Sequence, residues 1–152
     1  MSDVDTNTVR LTAMNLLARR EHSLSELRSK LAARYGDCNE IAPVLEALQQ
    51  QGLQSDQRFA EAFLRSRLRK GQGPYRIRNE LKQRGVSAQV MDELFQQQET
   101  DWFELARQVA QRRFGVNSSA DIKEQSKRAR FLQYRGFSGE QIRYALEHCQ
   151  QT

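Results

Sequence analysis

Apolar residues recur at helical spacing along most of the chain. Leu24, Leu27 and Leu31 fall on one face of a helix. Two later segments repeat this pattern, one with Val90, Met91, Leu94 and Phe95 and the other with Ile142, Ala145 and Leu146. Val, Ile and Thr are few, and no stretch shows sustained two-residue alternation, so strands have little support. The pattern predicts an all-α protein.

Serine residues mark the starts of several predicted helices. Ser23 precedes an apolar stripe and is followed three residues later by Glu26, as in a capping box. Ser138 and Gln141 have the same spacing, and Ser87 opens a further helix. These positions predict short helices joined by tight turns.

The chain resembles itself at an offset of 51 residues. Residues 81–95 align with residues 132–146 without a gap. The identical pairs are Leu81 with Leu132, Arg84 with Arg135, Gly85 with Gly136, and Ser87 with Ser138. The first third of the chain fits the same pattern more loosely, after a slip of three residues.

A further amphipathic segment precedes each of these helix pairs, at residues 10–21, 57–70 and 101–114. The sequence therefore predicts three tandem three-helix repeats, with an N-terminal extension and the first repeat in residues 1–53, the second in 54–98 and the third in 99–152. Helices this short bury little alone, so we expect the repeats to pack in series into an elongated, curved molecule. Phe59, Phe63 and Trp102 are expected in its core.

The charge is unevenly distributed along the chain. The protein has 24 Lys and Arg residues against 19 Asp and Glu residues, a net charge of +5. Residues 54–98 hold nine of the cations and only five of the acids. No apolar run is long enough to span a membrane, and the first residues do not resemble a secretory signal, so we expect a cytoplasmic protein without membrane contact.

Two basic clusters are candidate binding surfaces. No acid lies between Glu61 and Glu80, an interval that contains Arg65, Arg67, Arg69, Lys70, Arg76 and Arg78. Arg58 shares a helical face with Arg65 and Arg69. The second cluster comprises Lys123, Lys127, Arg128, Arg130 and Arg135, around Phe131 and Tyr134. Cations without a counter-charge require an external anion or open water, and the sequence leaves both interpretations open.

Other chemistry has little support in the sequence. Cys38 and Cys149 are far apart and are expected to be free thiols. Together with His22 and His148 they show no metal-ligand spacing, so no metal site is predicted. The Gly-Gln-Gly-Pro segment at residues 71–74 lacks a following Lys-Ser or Lys-Thr and is interpreted as a turn. We expect neither a cofactor nor catalysis.

Three segments carry a resemblance to a known family. They are LARREHSLSELRSKL at residues 17–31, GLQSDQRFAEAFLRSRLRKGQGPYRIRNELKQRGV at residues 52–86, and RFLQYRGFS at residues 130–138. The central segment contains Asp56, Arg58, Phe59 and Ala60 in an Asp-x-Arg-Phe-Ala pattern. In these features the chain resembles the RecX family of bacterial regulators of the RecA recombinase. Gln72 departs from the family pattern, which often has an aromatic residue there.

The resemblance implies a curved monomer that lies in the groove of a RecA filament on single-stranded DNA. It implies inhibition of RecA's ATP hydrolysis and strand exchange, and modulation of recombination and the SOS response. The alternative is a protein that binds single- or double-stranded DNA directly and competes for it. A third hypothesis is an interaction module for another helical partner, with no salt-sensitive binding to DNA or RecA.

Overall fold

The computed structural model describes residues 4–116 and 121–149. These residues form nine α-helices and no strand, which confirms the predicted all-α class. The helices are α1 (Thr6–Arg19), α2 (Leu24–Tyr35), α3 (Ile41–Gln50), α4 (Asp56–Arg69), α5 (Pro74–Gln83), α6 (Ala88–Gln97), α7 (Trp102–Phe114), α8 (Ile122–Tyr134) and α9 (Gly139–His148). They follow one another as three groups of three helices. None of these helices combines the length and the apolar character needed to cross a membrane.

The predicted serine caps are present. The Ser23 hydroxyl accepts a hydrogen bond from the Glu26 amide, and the Glu26 carboxylate accepts one from the Ser23 amide, at 3.0 and 3.1 Å. Ser138 and Gln141 form the same reciprocal pair at the start of α9. Each pair satisfies backbone donors that have no partner within the helix.

The first helix begins earlier than the pattern of apolar residues predicts. The prediction placed an amphipathic segment at residues 10–21, whereas α1 spans Thr6–Arg19. The Asp5 carboxylate accepts a hydrogen bond from the Asn7 amide at 3.2 Å and so caps the helix. A polar cap set the boundary, and apolar spacing does not detect it.

The structure divides into two compact units. The first comprises the described part of residues 1–63 together with residues 81–96. Its core includes Val9, Leu27, Leu31 and Leu48, each fully buried. Leu27 and Leu31 of the predicted α2 face are therefore core residues, and Leu24 packs against that core while partly buried.

Within the first unit, Gly85 packs tightly against the start of α2. A Cβ atom at Gly85 would lie 2.4 Å from the Ser25 Cβ. Gly85 also has a φ of +84°, in the left-handed region that favours glycine. The Ser23 hydroxyl donates a hydrogen bond to the Arg84 carbonyl at 2.7 Å. The Arg-Gly segment after α5 thus packs against α2 through the side chains of Ser23 and Ser25.

The second unit comprises residues 64–80 and the described part of residues 97–152. Its core includes Ala106, Leu132 and Ala145, all fully buried. A Cβ at Gly136 would lie 2.4 Å from the Arg76 Cβ. Ser25 and Arg76 are 51 residues apart, as are Gly85 and Gly136, so the predicted internal repeat extends to this packing contact. The boundaries predicted at 53/54 and 98/99 stay a prediction.

Two predictions about individual side chains are confirmed, and a third holds in part. Cys38 and Cys149 are free thiols. Phe59 and Phe63 are buried, with 3% and 8% of their surface exposed. Trp102 is only half-buried.

Candidate partner-binding surface

The first predicted basic cluster lies on the second half of α4 and on α5. Arg65, Arg69 and Lys70 are exposed there. None of the three forms an ion pair with a carboxylate of residues 4–116 or 121–149. The neighbouring Leu64 is buried and fixes the helix, which leaves these cations on its outer face. We call Arg65, Arg69 and Lys70 the α4 cations.

Two other members of this cluster are paired, so the expectation of six cations without a counter-charge is wrong for Arg67 and Arg76. Arg67 Nη2 lies 3.1 Å from Glu80 Oε2, and Arg76 Nε lies 3.0 Å from Glu80 Oε1. Arg76 precedes Glu80 by one turn of α5, and Arg67 reaches it from α4. The acid at the end of the interval therefore neutralises cations inside it.

The remaining two predicted contacts in this region are also engaged within the protein. Arg78 is half-buried and interacts with other groups of the protein. Arg58 Nε donates a hydrogen bond to Glu21 Oε2 at 3.1 Å, and both side chains are partly exposed. An exposed pair of this kind contributes about 0 to 1 kcal/mol to stability. Arg58 therefore stays at the surface, with its charge balanced.

One member of the second predicted cluster, Arg128, is buried. Lys123, Lys127 and Arg130 are exposed on α8. Arg128, in contrast, has only 8% of its surface exposed, donates to Glu124 at 3.2 Å and lies over the Phe114 ring. Helix α8 thus turns the Arg128 side chain inward, and its assignment as a binding contact stays a prediction.

In the first unit, Glu26 connects the capping box to two arginines. It lies 3.1 Å from Arg20 and 2.7 Å from Arg84. Burial favours a higher pKa for the Glu26 carboxyl, but hydrogen bonds from Arg20 and the Ser23 amide, with the charge of Arg84, hold that pKa below its usual value. This carboxylate is therefore charged at neutral pH, and its partners are groups of the protein itself.

His22 is buried beside the same helix start and is expected to be neutral. Its Nδ1 lies 3.1 Å from the Arg20 carbonyl, and its Nε2 lies 3.0 Å from Lys30 Nζ. Burial lowers the pKa of His22 even though the hydrogen bond to the Arg20 carbonyl acts in the opposite direction. The geometry fits a neutral ring that donates from Nδ1 and accepts from Nε2, a structural role rather than a nucleophilic one.

Two exposed cations that the sequence interpretation missed lie at the end of α7. Arg112 and Arg113 are exposed, and together with Lys70 and Arg135 they line a cleft in the second unit. A signal for them is present in the sequence, since no acid lies between Glu104 and Asp121. Residues 99–152 hold nine cations and seven acids, and this near balance conceals the interval because all seven acids lie outside it.

Comparison with family models places most of the chain in known helical domains. Residues 55–94 match the model described as RecX, second three-helix domain. Residues 99–146 match the model described as RecX, third three-helix domain.

Whole proteins of similar sequence carry the name Regulatory protein RecX. The one from Halorhodospira halophila is 52% identical over 137 residues, which cover 90% of this chain and 85% of that protein. The one from Chromohalobacter salexigens is 49% identical over 142 residues, which cover 93% of each.

Solved structures have the same fold at lower sequence identity. The crystal structure of RecX from Lactobacillus salivarius matches with a TM-score of 0.77 at 19% identity, covering 95% of this chain and 96% of that one. A second crystal structure, of regulatory protein RecX, matches with a TM-score of 0.80 at 22% identity, covering 93% and 73%. With two domain models matched in order and relatives about half identical over nearly the full length, the chain belongs to the RecX family.

Proposed function

We propose that this protein is a non-enzymatic regulator that binds RecA and its nucleoprotein filament and inhibits RecA's ATP hydrolysis and strand exchange. The observation that carries the proposal is the close, nearly full-length similarity to proteins named Regulatory protein RecX. In this proposal the protein acts in the cytoplasm as a monomer and modulates recombination and the SOS response.

The exposed cations supply the contact surface in this proposal. The α4 cations have no carboxylate partner among the described residues, and the buried side chains of α4 hold them in place. Arginine forks match carboxylate and phosphate groups, so this surface suits an acidic face of RecA or a phosphate of the bound DNA. Lys123, Lys127 and Arg130 of α8 are a second proposed contact region, whereas Arg67 and Arg76 support the scaffold through Glu80.

The test is a titration of RecA's ATP hydrolysis on single-stranded DNA at two salt concentrations. We expect the wild-type protein to inhibit hydrolysis and the charge-reversal variant R65E/R69E to inhibit it much less. The variant R28E/R34E is a matched control, since both arginines are exposed on one helix, α2. Unchanged hydrolysis at saturating wild-type protein rejects the proposal. Equal loss in the two variants rejects the assignment of the surface.

Direct competition for DNA is the second candidate, favoured by the number of exposed cations. Six exposed residues of the two predicted clusters have no carboxylate partner within the described ranges: Arg65, Arg69, Lys70, Lys123, Lys127 and Arg130. If all six bound phosphates of a single strand, log K would fall with log salt at a slope of about −4. Slopes near zero on bare DNA, with inhibition of RecA retained, would exclude competition.

A further inference from the structure

A cationic cleft lies in the second unit, at the ends of three helices. It has a volume of about 220 Å³ and is lined by Lys70, Arg112, Arg113 and Arg135, with Phe131 and Gly71. No carboxylate belongs to this lining. Ligand pockets for drug-sized molecules usually occupy about 300 to 1,000 Å³, so this cleft suits a small group rather than a whole nucleotide.

Two of the four cations lie over the Phe131 ring, and one of them, Arg135, also bonds to a backbone carbonyl. Arg135 Nη1 donates to the Lys70 carbonyl at 2.7 Å, and its guanidinium lies 5.1 Å from the centre of the Phe131 ring. The Arg113 guanidinium lies 5.5 Å from the centre of the same ring. A guanidinium has five N–H donors, so the hydrogen bond from Arg135 to the Lys70 carbonyl leaves most of its donors available. These side chains lose little conformational freedom when an anion binds.

Among the described residues, no carboxylate balances the charge inside the cleft. Lys70, Arg112, Arg113 and Arg135 form no ion pair with a carboxylate of the part of the chain that the structure describes. Elsewhere in the same unit, by contrast, Arg107 lies 2.6 Å from Glu104.

Helix ends offset only part of this charge. Helices α4, α7 and α8 end beside the cleft, and each carboxyl end carries roughly half a negative charge. Three such ends offset at most about one and a half of the four positive charges. The cleft therefore has an excess of positive charge in a confined space, which an anion would stabilise.

We propose that this cleft is a phosphate-binding site for either free inorganic phosphates or the backbone of a nucleic-acid strand. A phosphate group presents more oxygens than a carboxylate and can accept bidentate hydrogen bonds from more than one arginine. The cleft shares Lys70 with the α4 cations, but phosphate binding is measured without RecA, so its failure is distinguishable from failure of the proposed function. Its key residues, Arg112 and Arg113, belong to neither predicted cluster.

Two probes separate the possible sources of the phosphate. Binding of pyrophosphate is measured by calorimetry, and binding of an oligothymidylate by fluorescence anisotropy, both at low salt. We expect R112Q/R113Q to weaken whichever probe binds by about tenfold or more, since charge-assisted hydrogen bonds are lost. The control R28Q/R34Q, which removes two exposed arginines of α2, should change binding by less than about threefold, as expected from screened net charge alone.

Each outcome decides the proposal. Selective weakening of pyrophosphate binding supports a site for free phosphates, and selective weakening of oligothymidylate binding alone supports a strand backbone. If wild-type protein binds neither probe, or if both variants weaken binding equally, the site does not exist. A measurement on wild-type protein avoids any folding defect of the variant. Bound probe should protect Arg112 and Arg113, but not the exposed Arg143, from modification by phenylglyoxal, and absence of protection refutes the site.

Discussion

Alanine substitutions at four glycines separate two physical reasons for the presence of glycine in the repeat. Gly52 has a φ of +74°, and a Cβ there would contact nothing within 4 Å. Gly73 has no positive φ, but a Cβ there would lie 2.5 Å from the Gly136 backbone. Gly136 combines a φ of +99° with a Cβ position 2.6 Å from the Arg76 amide nitrogen, and Gly139 has neither constraint.

The expected losses of unfolding free energy follow from these contacts. A left-handed conformation costs a residue with a Cβ about 1 to 2 kcal/mol, which is the expected loss for G52A. Forced overpacking costs about 1 to 3 kcal/mol, the expected loss for G73A, since the clashing atoms are backbone and cannot rotate away. G136A combines both costs, so we expect a loss of about 2 to 5 kcal/mol. G139A should be neutral or slightly stabilising, because alanine favours a helix more than glycine does.

Urea unfolding followed by circular dichroism measures these free energies. The thermal midpoint should fall by about 2 to 4 °C for each kcal/mol lost in a chain of this size. If G73A were as stable as G139A, the close approach of Gly73 to the Gly136 backbone would be absent and the packing argument would be refuted. If G136A lost no more than G52A, the contact with Arg76 would carry no cost.

Three further predictions concern charged and titratable groups. Because the pKa of His22 is lowered on folding, the unfolded chain binds more protons, and the unfolding free energy should fall as the pH decreases below about 6.5. The variant H22Q should reduce this pH dependence between about pH 5 and 7. If the unfolding free energy of H22Q had the same pH profile as that of wild type, the lowered pKa of His22 would be contradicted. E80Q should lower the unfolding free energy by about 1 to 2 kcal/mol, because Arg67 and Arg76 lose their shared carboxylate. An unchanged unfolding free energy in urea would show that these two ion pairs do not contribute to stability. The same variant should bind single-stranded DNA more tightly at low salt in an anisotropy assay, and unchanged affinity would show that these two arginines stay unavailable.

The family comparison and the contact geometry support different parts of the functional argument. Relatives about half identical over nearly the whole chain support a common regulatory role. The structure adds the environment of each cation, since it buries Arg128 and pairs Arg67 and Arg76 with Glu80. Mutagenesis is therefore best directed first at the α4 cations and at the cleft.

Local structure could be predicted from the sequence because its causes lie within a few residues of each other. The capping box of Ser23 and Glu26 forms within one helical turn. Phe59 and Phe63 are four residues apart, so they lie on the same face of α4 and are buried together. The offset of 51 residues likewise anticipated Gly85 and Gly136 as equivalent helix ends. The start of α1 was missed because a single polar cap, Asp5, determined it.

Pairs within one helix, such as Arg76 with Glu80, follow helical spacing, whereas pairs between helices were decided by the tertiary structure. Arg67 and Glu80 are 13 residues apart and meet only because the turn at residues 71–73 brings α5 back beside α4. The cleft likewise joins Lys70 to Arg112 and Arg135 from three helices far apart in the sequence. Counting acids along a sequence does not detect a pair such as Arg67 with Glu80, whose side chains come within 3.1 Å of each other from different helices. The sequence alone thus determined the helices and their repeat, and only the packing decided which cations remain available to a partner.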